Sequence, residues 1–334
     1  MSKFKKILRF SILTILLVFF MYLAFRGIDF NGLLIELERT KYVYAIIGML
    51  IGTIFGSYIR ALRWKYLLNP LKENIGMKNL FSTVMIGYMM NALIPRSGEV
   101  SRPVLLAKKE NISKASAFGT IIVERIFDML SMFIVFGLCI LYYRQKISDT
   151  FGEYNIEMIS LYFSLAILLF VVVVVIMLFR LEKTEIIIRK ITSKFLPKKY
   201  QEKIHKIFIS LINGFLFIKY PKYYLKIFLL TVALWVSYAF SSYITFFAFD
   251  INLNFIDANL ILVMMSFAQT LPLPGNSAGT FHLFIKMALV NIFGINPETA
   301  IGYATISHLL GFVTLLIIGF YYSVKENFKF NTGL

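Results

Sequence analysis

The sequence predicts an all-α polytopic membrane protein, with about six full transmembrane helices plus two re-entrant helical hairpins in a candidate inverted repeat. Three observations point there. The chain is 58% hydrophobic and 16% charged, with 34 phenylalanines in 334 residues, which is more apolar surface than a soluble domain hides. Charge-free runs recur at 10–25, 42–59, 79–95, 129–143, 158–179, 227–249, 258–285 and 299–324. Several approach the ~20 residues a helix needs to span the ~30 Å hydrocarbon core. Lysine and arginine collect in particular connections, which orients the runs because such loops stay on the cytoplasmic side.

The elements follow in order. Lys3, Lys5, Lys6 and Arg9 precede the first run as they would in a signal peptide, but the sequel Phe25-Arg26-Gly27-Ile28 offers no small-residue cleavage site, so an anchor is expected. Residues 26–41 carry three positive and three negative side chains and suit an outside loop. Arg60, Arg63, Lys65, Lys72 and Lys78 mark the inside after the 42–59 run, with Trp64 read as an interfacial anchor. The 17-residue run from Asn79 ends at Pro95 and turns into Arg96-Ser97-Gly98-Glu99, with basic residues on both flanks. Crossing would strand Arg102, Lys108, Lys109 and Lys114 outside, so this segment is expected to dip in and turn back near Pro95 and Gly98. Residues 114–143 then cross outward to 144–157, and 158–179 returns.

Residues 180–226 hold 12 Lys or Arg against three Glu, the strongest inside signal in the chain. Ile204, Ile207, Phe208, Leu211, Ile212 and Phe215 recur there at helical spacing, which suits a helix lying on an anionic inner surface, with His205 solvated. After 227–249, the 28 uncharged residues 258–285 are interrupted by LPLPGNSAG. Pro272, Pro274, Gly275 and Gly279 break a helix, so two half-helices of about 258–271 and 279–293 are expected, before 299–324 returns. The chain then reads as a single integral membrane domain, 1–334, with repeats at about 42–143 and 227–324, a linking span and basic segment at 158–226, and both termini cytoplasmic in the cell membrane. Paired interrupted segments in opposed halves point to a transporter's binding site.

One span holds charges that are expensive to bury. In FGTIIVERIFDMLSMF, Glu124 lies ten residues from Lys114, about 15 Å deep. Each unpaired charge at that depth costs roughly 2.5–3.5 kcal/mol, so Glu124, Arg125 and Asp128 call for partners or a function. Glu124 and Asp128 share a face, and Arg125 points about 100° away toward another segment. Either the three lock the helices together, or the acids orient arginines that hold a ligand. At the first break Arg96, Glu99 and Arg102 surround Gly98, with Asn91 nearby. Guanidinium forks and half-helix N–H groups suit phosphate oxygens. The alternative is that both arginines snorkel to the interface. At the second break Asn276 and His282 supply uncharged or weakly basic groups.

Other chemistries find little footing. One cysteine, Cys139, excludes an internal disulfide, and no metal site, cofactor motif, P-loop or dinucleotide-binding glycine pattern is found. The net charge of +17 is accounted for by positive-inside loops, so nucleic acid is not an expected partner.

Arg60-x-x-Arg63-Trp64-x-x-Leu67-Leu68, Asn91-x-x-x-Pro95-Arg96-x-Gly98-Glu99-x-x-Arg102 and Glu124-Arg125-x-x-Asp128 resemble, in order, the motifs of the flippase-like membrane domain of lysylphosphatidylglycerol synthetase and its stand-alone relatives. The second break is similar to that family's Pro-Gly-Gly-x-Gly…Glu pattern but departs from it. Asn276 replaces the second glycine, one residue is inserted before Gly279, and His282 stands near the usual glutamate. The resemblance implies movement of a lipid with a charged or sugar-bearing headgroup between leaflets, in a chain without the soluble aminoacyl-transfer domain. The expected substrate-binding residues are Asn91, Arg96, Glu99, Arg102, Glu124, Arg125, Asp128, Asn276 and His282. The expected partners are membrane lipids, anionic or phosphate-bearing, and no catalytic constellation is found. The alternative expectation is an integral-membrane enzyme, or an auxiliary subunit beside a lipid-modifying enzyme, acting on phospholipid or isoprenoid-phosphate intermediates.

Overall fold

A computed structural model of the protein describes residues 3–143 and 212–328, with isolated positions between them. Its described elements are helical throughout. Helix α1 (Lys3–Phe25) is followed by α2 (Phe30–Arg39), which leaves the Ser11–Phe25 part of α1 at 83°. The segment expected as a loop at 26–41 is therefore largely helical. Asp29 starts α2 by accepting the Asn31 and Gly32 N–H groups, which would otherwise be orphaned. Leu33 is buried on its inner side.

Helix α3 (Tyr42–Leu68) runs 27 residues, with a π-helical stretch at Leu50–Phe55. Next comes a hairpin of α4 (Met77–Leu93) and α5 (Ser97–Glu110), and then α6 (Lys114–Tyr142). The hairpin's elbow forms because Arg96 takes a left-handed backbone, φ 62°, after Pro95. Only glycine fits Gly98: a Cβ there would lie 1.8 Å from the Gly87 carbonyl oxygen, so α4 and α5 touch backbone to backbone.

The second half repeats the order. Helix α7 (Tyr224–Phe246) precedes a hairpin of α8 (Phe255–Thr270) and α9 (Pro274–Lys286), with a π turn at Met287–Ile292, and α10 (Pro297–Lys325) follows. Asn254 and Asp257 close a reciprocal cap at the start of α8. The elbow here is three consecutive left-handed residues, Gly275, Asn276 and Ser277. The Ser277 hydroxyl donates to Leu271 O at 2.6 Å and that of Thr280 to Ala268 O at 3.0 Å, which ties the turn down. Right-handed helix resumes only after Ser277, close to the expected 279.

Each half gathers its own apolar core. Trp64, Leu67, Leu80, Leu106 and Ile121 pack together in the first, and Phe246, Ile261, Phe281, Ile285 and Tyr303 in the second. Exchanging the halves maps the main packings onto one another: α3–α4 onto α7–α8, α5–α6 onto α9–α10, and α4–α10 onto α8–α6. The α3–α7 seam maps onto itself. Gly48, Gly52 and Gly56 lie along it against Thr245, Ser241 and Tyr238, and small residues at such spacing let membrane helices approach closely.

Three described helices, Tyr42–Leu68, Pro221–Phe249 and Pro297–Lys325, are long and apolar enough to cross a membrane, or four spans if the bent pair α1–α2 counts as one. The fold is therefore a multi-pass membrane architecture. The loop expected at 144–157, the span at 158–179, and most of the basic segment with His205 lie outside the described residues.

Candidate functional site: buried arginines and carboxylates

The charges of α6 meet partners from three directions. Glu124, fully buried, receives Arg102 of α5 as a fork, with Nη1 to Oε1 at 2.8 Å and Nη2 to Oε2 at 3.0 Å. Arg60 of α3 places one Nη1 between Glu124 Oε1 and Asp128 Oδ2, 2.7 Å from each. Arg63 Nη2 donates to Asp128 Oδ1 at 2.6 Å, and its Nη1 reaches Thr231 Oγ1 of α7 at 3.2 Å. Arg60 Nη2 lies 3.4 Å from Tyr238 OH, also on α7. Charge-assisted pairs of this geometry offset the cost of taking ions out of water. Aromatic packing completes the cluster. The Arg102 guanidinium lies 4.0 Å above the Trp64 ring, whose Nε1–H donates to Thr120 Oγ1 at 2.8 Å.

Two expectations change here. Arg60, Arg63 and Trp64 do not face outward: they are buried in the protein, and all three belong to the cluster. Helical spacing puts Arg60 and Arg63 on one face, and what turns that face inward is the α3–α7 seam together with the acids of α6. Thr120, Thr231 and Tyr238 carried no signal as isolated sequence positions.

Arg125 stands at the rim with its side chain 39% exposed. Its nearest carboxylates are Glu124 at 3.8 Å and Glu99 and Asp128 at 3.9 Å, all beyond hydrogen-bond reach. The other expected site residues fall at the elbows. Asn91 Oδ1 accepts the Gly98 N–H at 2.7 Å and so caps α5. Arg96 Nη2 donates to Thr270 O, at the end of α8, at 3.1 Å. The elbow of one hairpin therefore touches the elbow of the other, and a cation sits where the last carbonyls of α8 point.

In the second elbow the Asn276 carbonyl lies 3.4 Å from His308 Nε2. His282 turns its Nδ1 to Ala278 O and packs 5.4 Å, ring to ring, from His308. The histidines thus belong to the turn, and Arg96 with Thr270 bridges the two elbows. Among the described residues no group of three His, Cys, Asp or Glu side chains is arranged to hold a metal ion.

Fold and site together define a class: an all-helical, multi-pass membrane protein with a charged cluster sealed between its helices. Within that class the chain belongs to the family described as lysylphosphatidylglycerol synthase TM region, whose model matches residues 7–319. It is 25% identical over 323 residues to a UPF0104 membrane protein of Methanocaldococcus jannaschii, covering 94% of each chain. A second UPF0104 membrane protein, from Methanothermobacter thermautotrophicus, is 28% identical over 95 residues, 28% of each chain. No solved structure matches the chain. Family membership supports a function in handling membrane lipids.

Proposed function

We propose that the protein moves an anionic phospholipid or polyprenyl-phosphate-linked lipid between the leaflets of the bilayer. The headgroup passes between the two elbows while the acyl or isoprenoid chains stay in lipid, and the halves rock against each other around it. One observation carries this reading: Arg96 of the first elbow donates to Thr270 at the second. Hairpins entering from opposite faces would meet in this way, and the exchange-related packing of the halves supports treating them as two copies of one unit. The arginines of the cluster begin only six residues beyond that elbow along α5.

The test is leaflet-to-leaflet movement of fluorescent anionic lipids in proteoliposomes. Arg96→Ala and Arg125→Ala should slow it severalfold or more. Equal movement in both variants and the parent protein would refute the route.

A second reading is favoured by the family description itself, which names the membrane region of a lipid-modifying synthase. In that reading the protein is an enzyme, or an auxiliary subunit that presents phospholipid or isoprenoid-phosphate intermediates to one. Mass spectrometry of lipids incubated with the protein separates the cases. A covalent product favours an enzyme, and a stoichiometric enzyme partner without transport favours the subunit.

A further inference from the structure

The buried cluster does not balance its own charge. Among the described residues the only carboxylates paired with Arg60, Arg63 and Arg102 are Glu124 and Asp128, so three cations meet two anions. Arg125 and Glu99 at the rim add one of each sign, and the surplus of one positive charge is unchanged. A low-dielectric site tolerates such a surplus poorly, so it favours a ligand that cancels it.

The geometry also locates the surplus. Glu124 and Asp128 engage the three inner arginines at 2.6–3.0 Å, whereas Arg125 has every carboxylate at 3.8 Å or beyond and no hydrogen bond among the described residues. Its Nε is buried and unpartnered, and so are those of Arg60, Arg63 and Arg102. Arg125 is therefore the loosely held cation of the group, and its side chain is partly exposed.

We infer that Arg125 is the headgroup contact of a site that selects one net negative charge, as carried by a phosphodiester lipid. Zwitterionic headgroups leave the surplus uncancelled, and phosphomonoesters bring a second charge that nothing in the cluster offsets. This rests on the transport reading for its ligand being a membrane lipid, and adds to it a rule of charge.

The experiment is competitive lipid retention, read by native mass spectrometry of the whole protein in nanodiscs of phosphatidylglycerol, phosphatidylcholine and phosphatidic acid. At about pH 9.5, well above its second ionisation in a bilayer, the phosphatidic acid carries close to two charges. Phosphatidylglycerol should be retained about tenfold or more over phosphatidylcholine, and also over phosphatidic acid. Arg125→Gln should abolish the first preference. Glu99→Gln, a half-exposed substitution that raises the surplus to two, should turn the second toward phosphatidic acid.

Equal retention of phosphatidylcholine, or a phosphatidylglycerol to phosphatidic acid ratio unmoved by Glu99→Gln, would overturn the inference. Transport without headgroup-charge preference would sink the charge rule and leave the proposed function standing. Selective retention of phosphatidylglycerol without transport would do the reverse.

Discussion

Replacing Glu124 by glutamine tests whether the cluster is as tightly balanced as its geometry implies. The carboxylate is fully buried and holds Arg60 at 2.7 Å and Arg102 at 2.8 and 3.0 Å. Glutamine keeps the shape and one acceptor but removes the charge, and the cluster's surplus grows from one positive charge to two. Breaking a buried pair from one side costs about 3–5 kcal/mol, a shift of about 10²- to 10⁴-fold in the folding equilibrium.

Arg63→Met perturbs the same network in the opposite sense. It brings the cluster to neutrality and leaves Asp128 held by Arg60 at 2.7 Å, so the loss is about 1.5–3 kcal/mol for the charge-assisted hydrogen bond to Asp128; the longer one to Thr231 goes too, but that hydroxyl keeps its bond to Ile227 O. The order of the two variants is the sharper prediction. Unfolding in mixed detergent micelles, followed by the fluorescence of buried Trp64 in a Trp235→Phe background, measures both. A Glu124→Gln protein as stable as the parent, or more stable than Arg63→Met, would refute the charge accounting.

Three further outcomes follow from other contacts. Gly98→Ala should displace α5 or prevent folding, because its Cβ meets backbone at 1.8 Å, whereas Gly87→Ala meets the Arg102 Cβ at 3.0 Å and should be milder; purification yield and thermal unfolding rank the pair. Trp64→Phe should cost about 1–2 kcal/mol through loss of the Thr120 hydrogen bond and weaker stacking under Arg102, read by circular dichroism as the protein unfolds in mixed detergent micelles. At the base of the first hairpin, burial alone would raise the pKa of Glu110, but hydrogen bonds from Lys72 and Asn79 outweigh it and hold the carboxyl below its usual range. A carboxyl lowered on folding stabilises above its unfolded pKa of about 4.3 and loses that contribution as pH falls through the folded value. Glu110→Gln should therefore flatten the acid limb of a stability-against-pH profile.

The membrane class, both broken segments and the three long apolar helices follow from local sequence, because hydropathy, proline and glycine act on the chain through near neighbours. The prolines and glycines at 95–98 and 272–279 mark breaks in otherwise apolar runs, and the structure turns at both places, at Arg96 and at Gly275–Ser277. The acids of α6 were also marked in advance, since charge at that depth is costly in any fold.

A partner from the first hairpin could be expected and Arg102 is one, but the partners from α3 were decided only by the tertiary structure. Arg60 and Arg63 at the end of an apolar run read as positive-inside residues unless they turn inward, and it is the packing of α3 on α7 that turns their face toward Glu124 and Asp128. Nor does any local rule bring Arg96 to Thr270, which is 174 residues away along the chain. Periodicity and hydropathy report what a segment prefers as its solvent. An ion pair depends on which segments the fold sets side by side, and that is fixed by packing summed over the whole bundle.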